Sequence, residues 1–423
     1  MTGPLDGVAL TVVGIYYAPD TTGIAPYTAD LCRTLAAAGA SVHALVGVPH
    51  YPQWKVATGY RRRLVSRSTE DGVTVTRVRH FVPRRHDALR RGLYELTFFA
   101  GTAVVPAGRP QAVIGVTPAL AGAATARLLA ARARAPLGLI VQDLVGAGAT
   151  QSGIPGGGLL ATRIGELEAA ILRSADRVGI ISGAFAGPLA EMGVRPDRVR
   201  PMPNYSRLTG TDATRAEARR QLGWPADRRI ALHTGNMGLK QGLSNVVDAA
   251  RLARRGGRDD LLFLLLGDGS DRPAVERAAT GLPNVRFLDP VPDERYPLAL
   301  AAADVLLLNE RASVVDMCLP SKLTSYLASG RPVVAATGAG GGAAQLVLDA
   351  GAGVVVPPER PAQMLSSLLH VLDHPGRADA LGASGRRYAQ DRLSRDSATE
   401  RIVEFAATLA ATPARSAGLA HAS

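Results

Sequence analysis

A serine and a lysine, Ser321 and Lys322, stand where a helix begins. Pro320 before them suits the first helical turn, where its missing N–H removes nothing. Leu323, Tyr326 and Leu327 then recur at helical spacing. Gly330 stops the helix, Pro332 forbids its continuation, and Val333 to Ala336 is an apolar run fit for a buried parallel strand. A hydroxyl, an ammonium and the N–H groups of a helix N-terminus meet there, which outlines a phosphate site; a capped surface helix is the plainer alternative. A second lysine, Lys240, lies in the glycine-rich run Thr234-Gly235-Asn236-Met237-Gly238-Leu239-Lys240-Gln241-Gly242. Gly267-Asp268-Gly269 closes another strand, and Gln142-Asp143 a third. A carboxylate beyond the carboxyl end of a parallel strand lies where α/β proteins bind ligands, so Asp143 is a candidate active-site residue. It could equally cap the following helix.

The elements that must position these residues alternate. Val8 to Ile15 reads as a strand, Tyr27 to Ala38 as a helix ended by Gly39, and Val42 to Val48 as a second strand, a βαβ opening. Further strands are expected at Val73–Val82, Ala112–Val116, Leu137–Val141, Asp176–Ser182 and Val199–Pro203, with helices over Arg90–Gly108 and Glu166–Ser174. The Arg90–Gly108 helix should carry an apolar face of Leu93, Leu96, Phe98 and Phe99. Residues 206–229 read as polar and helical, which marks a boundary near 205. The strand pattern then restarts at Ile230–His233, Leu261–Leu266, Val285–Leu288 and Asp304–Leu308.

The chain has 423 residues, 47% of them hydrophobic but only 4% aromatic, so a large core must be built from Ala, Val and Leu. That length suits two domains. Cys32 and Cys318 cannot form a disulfide framework, and no Cys/His cluster has metal-ligand spacing. Asp6 precedes the first apolar run with no basic segment before it, so no signal peptide is expected. No run of about 20 residues is free of Pro, Gly and charge, so no membrane span is expected. Of the net charge of +12, residues 1–205 carry +9, and residues 55–91 hold 11 Lys and Arg against three acids. That run could face an anionic membrane, nucleic acid or an acidic substrate, or simply be solvated.

Three glycine-bearing strand ends followed by Leu319-Pro320-Ser321-Lys322-Leu323 form an ordered set. It resembles the donor half of the GT-B glycosyltransferases of family GT4, and is most similar to the colanic-acid-type (extracellular polysaccharide) subgroup. Tyr16-Tyr17-Ala18-Pro19-Asp20-Thr21-Thr22-Gly23-Ile24-Ala25-Pro26-Tyr27 resembles that subgroup's first loop, and His50-Tyr51-Pro52-Gln53-Trp54-Lys55 its acceptor-side loop. Ser182 resembles a strand-end serine of the family, and Pro203-Asn204-Tyr205 its hinge. The resemblance covers about residues 8–405. It implies an α/β chain with two Rossmann-like domains facing a cleft. Residues 1–205 would form the acceptor side and 206–395 the nucleotide-sugar domain. Residues 396–411 would be a helix returning to the first domain, and 412–423 a disordered tail.

The implied activity is retaining transfer of a hexose-type sugar from a nucleotide-diphosphate sugar to an acceptor hydroxyl, with no protein nucleophile, no metal and no separate cofactor. The acceptor would be a glycan, a lipid-linked sugar or a small molecule, and nucleic acid is not expected. The setting would be cytoplasmic, with peripheral attachment to an anionic membrane through residues 55–91. By the same resemblance Lys240 and Lys322 balance the diphosphate, and Ser321 holds the distal phosphate. Gly235, Asn236, Gly267, Asp268, Gly269, Asp316, Pro320 and Leu323 line the donor site, and Val291 flanks the base. Gly23, Tyr27, Tyr51, Trp54, Gln142 and Asp143 fall on the acceptor side, with Asp143 catalytic. The chain departs from the pattern twice. Met317 and Ser325 stand where members show two glutamates eight positions apart, so the usual ribose contact lacks a carrier. Asn236 replaces an arginine, whose work Lys322 would share. A sugar-nucleotide epimerase of the same fold is a different reading, separable because it needs no acceptor. A transferase relic that only binds is another.

Overall fold

The computed structural model describes residues 3–21, 23–84, 87–106, 108–144, 158–206, 211, 213–314 and 320–413. Thr22, Arg85, Asp316, Met317, Leu319 and the tail beyond 413 lie outside them. The chain divides into two compact units, residues 1–203 with the chain from 398 onward, and residues 204–397.

The first unit holds β1 (Ala9–Gly14), β2 (Ser41–Gly47), β3 (Val65–Glu70), β4 (Val73–Val78), β5 (Ala112–Val116), β6 (Leu137–Val141), β7 (Arg177–Ile180) and β8 (Val199–Pro201). They pair in the order β3-β4-β2-β1-β5-β6-β7-β8, all parallel except β3 against β4. Strands β5 and β6 are buried at every residue, which is why they read as unbroken apolar runs. β3 was not expected, because its Ser, Arg and Thr side chains are largely exposed at the sheet edge. Its signal was Asp71-Gly72, a hairpin pair with φ of 50° and 78° at the turn.

The helix Arg395–Ala410 ends in this unit's core, where Ile402, Phe405, Ala406 and Leu409 join Val12, Ile114 and Ile140. Gly138 on β6 makes room for it: a Cβ there would come 2.7 Å from Leu409 and 2.9 Å from Phe405. The helix expected at Arg90–Gly108 spans Ala88–Ala103, begun by Asp87, whose carboxylate accepts the Arg90 amide at 2.8 Å. Its buried side chains are Tyr94, Phe98 and Thr102, not the whole expected face. Leu89, Leu93 and Leu96 are 84%, 42% and 62% exposed, and their spacing puts them on one outward stripe.

The second unit holds β9 (Arg229–Thr234), β10 (Leu261–Leu266), β11 (Val285–Leu288), β12 (Val305–Asn309), β13 (Val333–Ala336) and β14 (Gly353–Val356). Their order is β11-β10-β9-β12-β13-β14, all parallel. In both units the strand order reverses beside the first strand, at β1/β5 and at β9/β12, and ligands bind at such switch points. The segment Leu261–Leu266 is buried throughout and forms the centre of two apolar layers, one on each face of the sheet. The helix expected after Pro320 spans Lys322–Ser329 and ends at Gly330, whose φ is 71°. Among the described residues of the polar stretch after 205 is the short helix Arg215–Leu222, begun by a Thr214/Glu217 capping box.

Candidate functional site

Parallel strands put all their carboxyl ends on one edge of a sheet, and the predicted residues collect there in each unit. In the second unit β9 ends at Thr234 and runs into Gly235 and Asn236, while β10 ends at Leu266 and runs into Gly267-Asp268-Gly269. The two loops lock together. The Gly235 amide donates to the Leu266 carbonyl and the Met237 amide to the Asp268 carbonyl, each at 2.8 Å. Gly267 has φ of 147°, and a Cβ there would sit 1.9 Å from the Gly235 carbonyl oxygen, so only glycine allows this approach. Gly269 is pressed against Asn236 and Met237 in the same way. Val291 is half-buried and packs on the apolar layer beneath β11.

Lys322 points back at the end of β9. Its Nζ lies 3.4 Å from His233 Nε2, and a Cβ on Gly235 would come 3.7 Å from its Cε. The side chain is half-buried, and the protein crowded around the ammonium pushes its pKa down to about 7 against a weaker opposing pull from Glu310. Glu310 follows β12, is buried, and accepts from the Thr337 hydroxyl at 2.5 Å. Burial, and then Lys322 itself, hold His233 well below the usual imidazole range, so the ring is neutral. Tyr326 anchors the helix below: its hydroxyl oxygen accepts the Thr234 amide at 2.9 Å.

Ser321 is exposed and its side chain makes no capping bond, while the Leu323 amide already donates to the Pro320 carbonyl at 2.9 Å. Leu323 itself is fully buried, so it roots the helix and presents nothing to a ligand. Lys240 is exposed in the one-turn segment Leu239–Gln241, and its carbonyl accepts the Arg311 amide at 2.9 Å, which ties its loop to the end of β12. Asn309 donates to the Gln241 carbonyl at 2.6 Å and to the Gly242 carbonyl at 3.0 Å, reinforcing that tie. Asp316 lies outside the described residues.

In the first unit the two expected loops meet. Asp20 accepts the amides of His50 and Tyr51 at 3.3 and 3.2 Å, and Gly23 lies against the Tyr51 ring, 3.3 Å from a would-be Cβ. Tyr51 and Trp54 are half-buried and share a ring cluster with Tyr16, His50, His80 and Tyr94. Trp54 holds a left-handed φ of 50°, an uncommon conformation for a bulky side chain. His50 Nδ1 is 2.7 Å from the Val48 carbonyl, which can only accept, so the neutral ring accepts the Tyr94 hydroxyl proton at Nε2, 3.0 Å away. Burial pushes His50 down and His80 to about 3. Arg77 holds the first loop from beneath, bonded to the Ala18 carbonyl at 2.9 Å and paired with Glu70 at 2.6 Å. This takes Arg77 out of the basic run as a surface charge. Gln142 is buried and Asp143 half-buried just beyond β6, and Tyr27 is half-buried in the first turn of Ala25–Ala37.

Sequence reading gave no role to His233, Glu310 or the ring pair His50/His80. A histidine inside an apolar strand end, or a glutamate directly after one, was the available signal. Among the described residues no group of three or more His, Cys, Asp or Glu is placed to hold a metal ion. Nor is any helix among them long and apolar enough to cross a membrane.

Two switch-point sheets, one of them edged by glycine loops and a lysine-bearing helix start, define a protein of two Rossmann-like α/β domains. Comparison with known proteins narrows the class. Residues 22–205 match the Glycosyl transferase 4-like domain, and residues 228–374 match Glycosyl transferases group 1. The chain is 31% identical to "Putative colanic acid biosynthesis glycosyl transferase WcaI" of Escherichia coli K12, over 93% of this chain and 98% of that protein. Two solved structures share the fold. Sucrose-phosphate synthase from Thermosynechococcus elongatus has a TM-score of 0.72 at 19% identity, covering 95% of this chain and 99% of its own. HepE of Anabaena in complex with UDP has a TM-score of 0.70 at 17% identity, covering 95% and 100%. The chain therefore belongs to the GT4-type glycosyltransferases of GT-B fold and is a glycosyltransferase.

Proposed function

We propose that this enzyme is a retaining transferase that takes a hexose-type sugar from a nucleotide-diphosphate sugar bound by residues 204–397. The observation that carries the donor site is Lys322. Its ammonium is desolvated beside a neutral histidine and a glycine, and among the described residues it has no ion-pair partner. A crowded lysine without an ion-pair partner among the described residues is suited to an anionic ligand, which would restore its charge. Lys240, Ser321 and the amides at the start of Lys322–Ser329 take the remaining phosphate charge without a metal ion. In the transfer the bond from the sugar's anomeric carbon to the phosphate oxygen breaks, and the acceptor oxygen bonds the same carbon from the same face. The departing phosphate keeps the electron pair and takes the acceptor's proton, while the lysines balance its growing charge.

The acceptor meets the Tyr51/Trp54 loop and Asp143. It is lipid-linked, because the exposed Leu89/Leu93/Leu96 stripe and the exposed Arg61, Arg62, Arg63 and Arg84 suit an anionic bilayer surface. A panel of nucleotide-diphosphate sugars, read by thermal shift on wild type and on Lys322→Met, tests the donor site. One sugar nucleotide should stabilise wild type and none the variant; equal shifts in both would reject the site.

A further inference from the structure

The loop that carries Lys240 is gripped from behind by the exit of β12. Three consecutive loop carbonyls accept hydrogen bonds from it. Lys240 accepts from the Arg311 amide at 2.9 Å, and Gln241 and Gly242 accept from Asn309 Nδ2 at 2.6 and 3.0 Å. Asn309 is the last residue of β12 and is 1% exposed. Gly242 permits the close approach: its φ is 53°, and a Cβ there would lie 2.7 Å from the Arg311 side chain.

The orientation of the Asn309 amide follows from its partners. A carbonyl can only accept, so the nitrogen must face Gln241 and Gly242. The oxygen then faces Asn245 of the helix Ser244–Arg255, whose Nδ2 donates to it at 2.7 Å. The Asn245 backbone amide also donates to the Gly242 carbonyl, at 3.1 Å. Within the loop the Gln241 side chain reaches back and accepts the Gly238 amide at 3.1 Å. Val305 to Leu308 are buried and apolar, so the sheet itself does not ask for an amide at the next position, and all three side-chain bonds of Asn309 leave the strand. The Lys240 backbone is fixed on both sides while its side chain is exposed. A flexible four-carbon stem delivers its charge to one place only if its root is held.

We propose that Asn309 is a positioning residue of the donor site, setting the Lys240 loop so that the ammonium meets the nucleotide diphosphate. This rests on the phosphate role given to Lys240 above. Asn309 touches no substrate and acts through the loop.

Calorimetric titration of the full chain with UDP, GDP, ADP and dTDP tests this, carried on with the nucleotide that binds wild type most tightly. Lys240→Ala should weaken binding about tenfold, the worth of a hydrogen bond to a charged group. Asn309→Asp keeps the side chain's shape but sets a carboxylate against two carbonyl oxygens. It should weaken binding roughly fivefold with Lys240 present and by less than about twofold in Lys240→Ala. Protonation restores one donor to the new carboxyl, and burial among carbonyls raises its pKa, so the deficit should shrink as pH falls from about 8.5 to 6. Glu310 and Arg311 flank the position on the β12 exit, Lys240 lies on the loop it holds, and Asn245 and Met364 behind it do not titrate. Taking the ratio to wild type at each pH removes the titration the two proteins share, that of Lys322 included. Asn309→Ser keeps one donor and adds no charge, and serves if Asn309→Asp does not fold; it should cost roughly threefold with Lys240 present and nothing measurable without it. Equal losses in both backgrounds would make Asn309 a structural residue and overturn the proposal while the Lys240 role stands. Unchanged binding in Lys240→Ala would overturn that role instead, and a wild type that binds none of the four nucleotides would overturn the donor site and this inference with it.

Discussion

Binding of the donor to this enzyme should take up a proton at pH 8, and Lys322 should be the acceptor. In the free protein the lysine sits near 7, so at pH 8 it is about one-tenth protonated. A preorganised cation aimed at phosphate charge is worth about 3 kcal/mol, which corresponds to about two pKa units and places the bound value near 9. Uptake at pH 8 is then about 0.8 proton per site. The phosphates of a nucleotide sugar do not titrate in this range, so they add nothing to the count. Calorimetric titration at pH 8 in two buffers of different ionisation enthalpy measures the uptake directly. Affinity should fall as the pH rises from 7.5 to 9, most steeply below the bound pKa. In Lys322→Met both the uptake and the pH dependence should disappear, with a loss in affinity of about a hundredfold.

Stability moves the other way. The folded pKa lies below the ordinary lysine value, so the unfolded chain binds more protons between about 7 and 10.5. The charged form of Lys322 therefore destabilises the free protein most at and below pH 7, and this relaxes as pH rises through that window. Lys322→Met should hold or raise the ligand-free melting temperature at pH 7, with the gain shrinking towards pH 10. Donor binding with no proton uptake in wild type, and with unchanged affinity in Lys322→Met, would refute this reasoning.

Lys240 is exposed, so Lys240→Ala should lower turnover by roughly a hundredfold and leave the melting temperature where it was, which activity and thermal scans would check together. A strong chelator should leave activity intact if lysines and helix-start amides balance the phosphates as proposed; complete loss, restored by an added divalent ion, would show that the donor site is misread. The enzyme should sediment with anionic but not neutral liposomes, and less so as salt rises. Replacing Leu89, Leu93 and Leu96 with Ser, or Arg61, Arg62 and Arg63 with Gln, should each weaken that binding. Equal recovery in the supernatant with both liposome types at low salt would remove the membrane role.

The fold was legible where strands are buried on both faces. Ala112–Val116, Leu137–Val141, Leu261–Leu266 and Val333–Ala336 were each read to their observed ends, because a doubly covered strand must be an unbroken apolar run. The edge strand β3 was not legible. β3 carries Arg67 and Ser68 at an exposed sheet margin, where no apolar alternation is required. The Ala88–Ala103 helix misled for a related reason. Its apolar residues fall on two stripes, Tyr94 with Phe98 inside and the three leucines outside, and periodicity cannot say which stripe meets the core.

The site divides in the same way. Glycines and lysines at strand ends could be picked out because backbone approach and charge are properties of single residues. What they do to one another could not. Lys322 is a desolvated cation only because β9 delivers His233 and Gly235 beside it, about 90 positions earlier in the chain, and because Gly267 lets the neighbouring loop close over Gly235. Replace Gly267 with alanine and the added carbon meets the Gly235 carbonyl oxygen at 1.9 Å, so the β9 loop must move. The motif would still read as a phosphate site while the lysine's surroundings changed. Its chemistry therefore belongs to the order of strands at the switch point: the reversal between β9 and β12 leaves the gap that the lysine enters.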